Sequence, residues 1–359
     1  MVYLSQPISL SKASADLERM IREFNVEPIE RIVDRMPKNR LLEMGIIIAH
    51  RDFDKILEEY EKGKKFAIVS GRGPSGPIHL GHIFVFMVVK YLQDAFDAEV
   101  FIPLSEDEKF IFDKISSLEE GASWAYDNAR TILALGFKKN KTHLYVSSKQ
   151  RWVYQYALMI SKKLTLSTVK NALGISDSVN IGIPFYAAVQ IAHILQPTID
   201  KGVRVVVPIG LDQDVFMRLT RDVAEKLGLV KPASLYVKFI PGINREPMSS
   251  SRPETAIYVT DDEETLWRKI FNTFTGGKGT LEEQRRYGAD PYVCNIYEWL
   301  KTFVFKTKKE VQEHLNKCQS GELICGFDCK AIIFRYLKDF IKSLREKAEK
   351  INLEEYMMV

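Results

Sequence analysis

Nothing in the chain approaches the roughly 18 consecutive apolar residues that a membrane-spanning helix needs. Met1 to Arg22 has no apolar stretch of the sort a secretory leader carries, so a cytoplasmic location is expected. Charge of one sign is not in large excess either. The 51 Lys and Arg against 47 Asp and Glu leave a net +4, which permits an acidic partner without demanding one. Cysteine is scarce: Cys294, Cys318, Cys325 and Cys329 all lie in the last third, and no two form a Cys-x-x-Cys pair. With only His314 nearby, that spacing argues against a zinc site and for buried, reduced thiols, and no metal ligands are assigned. Internal repeats and low-complexity segments are absent.

What is present fits a two-domain protein. A length of 359 residues exceeds one typical domain, and 46% hydrophobic residues suffice for a large core. Residues 1–50 read as an N-terminal helical extension, with Leu17, Met20, Ile21 and Phe24 at helical spacing. Short, nearly unbroken apolar runs follow over 64–69, 98–104, 142–147, 203–209 and 234–240, separated by helical stretches. That alternation predicts a parallel sheet covered on both faces, a doubly wound, Rossmann-like α/β catalytic domain over 51–262. Beyond Asp262 the strand signals stop, and 263–359 reads as an all-helical domain.

Two segments carry the chemistry. The first apolar run ends in Ser70-Gly71-Arg72-Gly73-Pro74-Ser75-Gly76-Pro77, followed by His79-Leu80-Gly81-His82. Glycines there allow a ligand close to the backbone, and a helix N-terminus attracts an anion. His79 and His82, three apart on one turn, face the same way and can donate to phosphoryl oxygens. The second segment is Met248-Ser249-Ser250-Ser251, in a polar loop at the join with the helical domain, placed to close over a triphosphate.

These residues resemble class I aminoacyl-tRNA synthetases and, within them, the tryptophanyl enzymes of archaeal and eukaryotic type. The likeness extends to Glu106-Asp107-Glu108-Lys109-Phe110, Gly210-Leu211-Asp212-Gln213-Asp214, the segment Arg218 to Ala224 and Phe274-Thr275-Gly276-Gly277-Lys278, and covers about residues 15–350. The resemblance implies ATP with Mg2+, tryptophan and tRNA as ligands, and a homodimer. It implies that His79 and His82 stabilise the adenylation transition state, with Gly81 under the adenine. Arg72, with the Gly73 and Ser75 turn, would approach the phosphates. Met248, Ser249, Ser250 and Ser251 would form the mobile phosphate loop. Glu108, Gln190 and Gln213 would surround the amino acid's ammonium and carboxylate.

The chain departs from the family in three places. Val69 and Pro103 stand where the family has Tyr and Gln, which recognise the indole N–H; Tyr186 and His193 are the expected substitutes. Met217 replaces an aromatic pocket wall with a more adaptable side chain. Pro247 takes the place of the loop's lysine, and Arg252, or less directly Arg245, is expected to supply that charge. These departures leave two alternatives: a paralogue activating another amino acid, or a non-catalytic tRNA-binding paralogue. In the helical domain, lysines and arginines interleave with Tyr292, Tyr297, Trp299 and Phe327, as an anticodon-reading surface would, although Trp299 reads more readily as core.

Overall fold

The computed structural model describes residues 18, 19 and 21–358; Leu17 and Met20 of the expected first helix lie outside them. Five parallel strands form the centre of the molecule: β3 (Phe66–Val69), β4 (Glu99–Leu104), β5 (Thr142–Val146), β6 (Arg204–Ile209) and β7 (Ala233–Val237). They are the five apolar runs of the sequence. Apart from some terminal residues and His143 of β5 they are buried, which is why they show no polar alternation. The order is β5-β4-β3-β6-β7, so the chain winds outward in both directions from β3. Strand order therefore reverses beside β3, and a ligand crevice forms outside its carboxyl end.

Two further strands, β1 (Glu27–Pro28) and β2 (Ile47–Arg51), extend the sheet antiparallel beyond β7. The expectation of a purely helical extension over 1–50 is corrected here. The β-branched pair Ile47-Ile48 belongs to the sheet, where β2 covers an edge that β7 would otherwise leave open. Buried Arg51 fixes this addition by donating to Asp214 and to the Phe24 carbonyl. At the opposite edge, the chain's last described residues lie along β5. Leu144 N–H donates to Tyr356 O at 2.8 Å, and Met358 N–H donates to Leu144 O at 2.7 Å.

The helices, numbered in chain order, are α1 (Arg40–Glu43), α2 (Phe53–Glu61), α3 (Leu80–Phe96), α4 (Glu106–Ile111), α5 (Leu118–Leu133), α6 (Arg151–Ser161), α7 (Leu166–Leu173), α8 (Gly182–Lys201) and α9 (Asp214–Lys226). The C-terminal part continues with α10 (Glu263–Phe271), α11 (Leu281–Tyr287), α12 (Asn295–Trp299), α13 (Lys308–Gln319) and α14 (Lys330–Ala348). Two π-helical turns, Leu300–Val304 and Cys325–Cys329, interrupt it. No strand follows β7 among the described residues, as the sequence predicts. One apolar core runs from Ile29 through the sheet to Tyr356, so the helical part packs on the α/β part without a break. Among the described residues, no helix is long and apolar enough to cross a membrane.

Candidate active site

A cavity of about 550 Å3 opens at the carboxyl ends of β3, β4, β6 and β7. Its walls include Val69, Arg72, Gly73, His79, Gly81, His82, Pro103, Glu108, Gln190, Gln213, Met217 and Met248, residues drawn from every part of the sheet domain. Among the expected site residues, Ser75, Ser249, Ser250, Ser251 and Arg252 do not line it.

The turn after β3 is built around Arg72. Its backbone continues the strand, with Arg72 N–H donating to Pro103 O and Ser105 N–H to Arg72 O, both at 2.8 Å. The buried guanidinium donates through Nε to Asn128 Oδ1 at 3.0 Å and to the Gly73 carbonyl, while Nη2 has no partner. Asn128, from α5, also donates to Gly76 O at 3.0 Å and so holds both ends of the turn. Burial pulls the Arg72 guanidinium down to about 10, still cationic at neutral pH. Gly73 serves a packing need besides ligand approach. A Cβ there would stand 2.4 Å from Glu108 Oε2, so a larger residue would push the Glu108 and Lys109 side-chain ends aside.

His79 is the residue before α3, in extended conformation, and its side chain does not cap the helix. Its ring stacks on that of His82 with centroids 3.6 Å apart. His79 is buried and His82 half-buried, and Nδ1 of each is buried without a hydrogen-bond partner. Burial, reinforced by the Arg72 charge, pushes His79 down to about 3 and His82 well below its ordinary value. The pair is therefore neutral. Three buried polar atoms of residues on the cavity wall, two imidazole nitrogens and one guanidinium nitrogen, have no partner within the protein, and an anionic ligand beside them would accept from the guanidinium and from an imidazole N–H. An adenine resting on Gly81 would meet close neighbours, since a Cβ there would lie 3.0 Å from His79 Nδ1 and 3.4 Å from Met248 Cβ.

The opposite end of the cavity is apolar. Val69 and Met217 pack with Ile194 and Val207 in one cluster. His193 reaches the wall, but Tyr145 OH occupies its Nδ1 at 3.1 Å and Ser147 Oγ its Nε2 at 3.2 Å. Ser147 in turn donates to Asp107 at 2.6 Å, as does Tyr154 at 2.9 Å. The expected role of His193 as an indole partner is thus closed off by its own hydrogen bonds. Tyr186 is buried on the wall beside Ser105, and burial holds its hydroxyl protonated, well above the usual tyrosine range. Glu108 pairs with its neighbour Lys109 at 3.0 Å and still faces the cavity. Gln213 donates to Asp212 at 2.7 Å, and burial raises that carboxyl.

The serine loop folds back on itself. Pro247 and Met248 reach the cavity, while Ser249 O accepts from Arg252 N–H at 3.1 Å and Ser249 Oγ meets Ser251 Oγ at 2.9 Å. Ser250 Oγ is buried without a partner. Arg252 pairs with Glu246, and Arg245 lies over the Phe274 ring, 4.8 Å from its centroid. Neither arginine stands where the missing lysine would; Lys109 and Lys238 are the lysines on the wall. The loop's base is tied to the helical part by Asn295, which donates to Gly242 O at 2.6 Å, and by Trp299 Nε1, which donates to Pro241 O at 2.7 Å. Sequence reasoning missed Asn128, Lys109 and Asp212. Only the last two sat in segments already singled out; a lone Asn within a helix gives no signal.

A doubly wound sheet with a neutral histidine pair and a buried arginine around one crevice at its strand ends has the form of a ligand site of the open α/β class. The chain belongs to the tRNA synthetases class I (W and Y), whose model matches residues 61–338. It is 41% identical over 349 residues to a tryptophan–tRNA ligase of Pyrobaculum calidifontis, covering 94% of this chain and 93% of that protein. The corresponding Pyrococcus furiosus protein is 38% identical, covering 93% and 88%. Among solved structures, the tryptophanyl-tRNA synthetase of Aeropyrum pernix superposes with a TM-score of 0.88 at 33% identity, over 94% of both chains.

Proposed function

We infer that this chain ligates tryptophan to its tRNA in an ATP-dependent reaction through an aminoacyl-adenylate. The observation that carries the reading is full-length likeness to tryptophan–tRNA ligases, together with unsatisfied donors converging on one crevice. Activation of another amino acid and a non-catalytic role are not favoured beside it.

In the proposed mechanism the tryptophan carboxylate attacks the α-phosphorus of ATP and pyrophosphate leaves. Arg72, locked by Asn128, supplies a fixed positive charge at the phosphates. His79 and His82 turn their unpartnered nitrogens to the charge that builds on the leaving group, with Gly73 and Gly81 giving backbone access. Glu108, Gln190 and Gln213 hold the amino acid's ammonium and carboxylate, while Val69, Pro103 and Met217 enclose its side chain. Catalysis is then positioning and charge stabilisation. Mg2+ would come in with the ATP phosphates as part of the substrate. For Ser249, Ser250, Ser251 and Arg252 to reach the triphosphate, the loop closes and Arg252 leaves Glu246; Lys109 carries part of the missing lysine's charge. Ser75 acts through the shape of its turn.

The wider assignments are also proposals. The division at Asp262 separates a catalytic domain from a helical domain that reads the anticodon. Exposed Tyr292 and Phe327 suit stacking on splayed bases, whereas Tyr297 and Trp299 are core residues. A homodimer is supported by Leu158 on α6, Leu166 on α7 and Ile181 just before α8, which are 61%, 58% and 81% exposed. A cytoplasmic location agrees with free, buried thiols. ATP–pyrophosphate exchange run with each of the twenty amino acids tests the central reading. Exchange with tryptophan alone is expected; exchange with a different amino acid, or with none, overturns it.

A further inference from the structure

Two buried carboxylates stand behind the amino-acid end of the cavity, and the mechanism above does not use them. Glu106 and Asp107 begin α4 and are buried, while the next residue, Glu108, reaches the cavity wall. Glu106 accepts from Ser147 N–H at 3.1 Å and from Ser148 N–H at 3.0 Å, just beyond β5. Asp107 accepts from Ser147 Oγ at 2.6 Å and Tyr154 OH at 2.9 Å on one oxygen, and from Glu108 N–H at 3.0 Å on the other. All of these donors are neutral. Among the described residues, no lysine, arginine or histidine side chain bonds either carboxylate.

Burial and the adjacent Glu106 charge raise Asp107 to about 6, which leaves it ionised at neutral pH. A carboxylate only accepts, so Ser147 gives Asp107 its one proton. Ser147 Oγ must then accept from His193 Nε2, 3.2 Å away, and Tyr145 OH donates to His193 Nδ1 at 3.1 Å. His193 is thereby a neutral Nε2–H imidazole, held down to about 3 by burial, and brings no positive charge. Glu108 shares its own charge with Lys109 at 3.0 Å. The negative charge behind it does extend to the cavity. Tyr186, on the wall, is raised by burial first and then by the charges of Asp107 and Glu108. A buried charge without a cation is costly, and a low-dielectric interior screens its field little.

We propose that Asp107 and Glu106 are positioning residues for the amino acid, whose uncompensated buried charge draws the substrate's ammonium to Glu108. The inference rests on the reading of this cavity as a tryptophan site. Neither residue lines the cavity, so both act through Glu108 and through their field. Asp107 also holds the Glu108 backbone by its N–H. The ammonium is then the counter-ion that the protein itself does not supply. A ligand of the same shape without an ammonium gains nothing from these charges, and that separates an electrostatic role from a merely structural one.

The test uses Asp107→Asn and Glu106→Gln in the full-length protein, each of which keeps the side chain's shape and removes its charge. Calorimetry gives the Kd for tryptophan and for indole-3-propionate, which keeps the ring and carboxylate but has no ammonium. Tryptophan is expected to bind either variant about tenfold or more weakly than wild type. Indole-3-propionate is expected to stay within about twofold. In pyrophosphate exchange the tryptophan KM should rise by the same factor, with the KM for ATP nearly unchanged, and Asp107→Glu should restore it. Circular dichroism checks the fold of each variant. Equal weakening of both ligands in folded variants overturns the proposal, as does undiminished tryptophan binding. A wild-type protein that binds indole-3-propionate and tryptophan equally well overturns it too, whereas one that binds neither overturns the tryptophan reading itself.

Discussion

Val69 and Pro103 decide how the side-chain pocket discriminates. Neither offers a side-chain acceptor to an indole N–H, and His193 already spends both ring nitrogens on Tyr145 and Ser147. A buried N–H left without an acceptor costs about 1–3 kcal/mol. Tryptophan and its benzothiophene isostere, which lacks that N–H, are therefore expected to give kcat/KM values within about tenfold of each other in pyrophosphate exchange. A preference for tryptophan above roughly a hundredfold would mean that a partner on the wall, Tyr186 foremost, takes the N–H.

At the scale of elements, the turn between β3 and α3 depends on a helix distant in sequence. Asn128 on α5 joins Arg72 to Gly76, and both its bonds are buried. Asn128→Ala would leave the guanidinium free to move while keeping its charge. The expected result is a fall in kcat of about tenfold or more with the KM for tryptophan nearly unchanged, measured by steady-state exchange. A selective rise in the tryptophan KM would place Asn128 at the amino-acid end instead. The serine loop shows the same dependence. Its residues are a polar linker by sequence, but Asn295 and Trp299 anchor its base to the helical part.

At the scale of the whole molecule, all six histidines are affected in one direction. His50, His79, His82, His143, His193 and His314 all have lowered pKa values, chiefly through burial. The unfolded chain therefore binds more protons than the folded one below the ordinary histidine pKa of about 6.5. The stability these neutral imidazoles contribute is present above that pH and is lost as the pH falls toward 3, the folded value for His79 and His193. Asp107, raised to about 6, and Asp127 and Asp212, raised by burial, act in the opposite sense but are fewer than the histidines. Thermal melts from pH 8 to 4 are expected to show Tm falling steadily below about pH 6.5. A flat profile would mean that the histidines titrate normally in the folded protein.

The sequence by itself determined the parallel sheet and the absence of strand signals beyond it. Strands buried on both faces must be apolar along their length, and that signature needs no tertiary information. It also made the Gly/Pro turn and the histidine pair legible, because close backbone approach and a shared helix face need particular residues at fixed short spacings. Ile47-Ile48 was legible as apolar but not as a strand, since its partner β7 lies far along the chain. Only the tertiary structure decided that His193 is already bonded, that Asn128 holds Arg72 and that Arg252 faces Glu246. Only it packed Cys318 and Cys325 together against Ala289. These are contacts between residues distant in sequence, and local periodicity carries no record of which distant side chains the packed core will bring together.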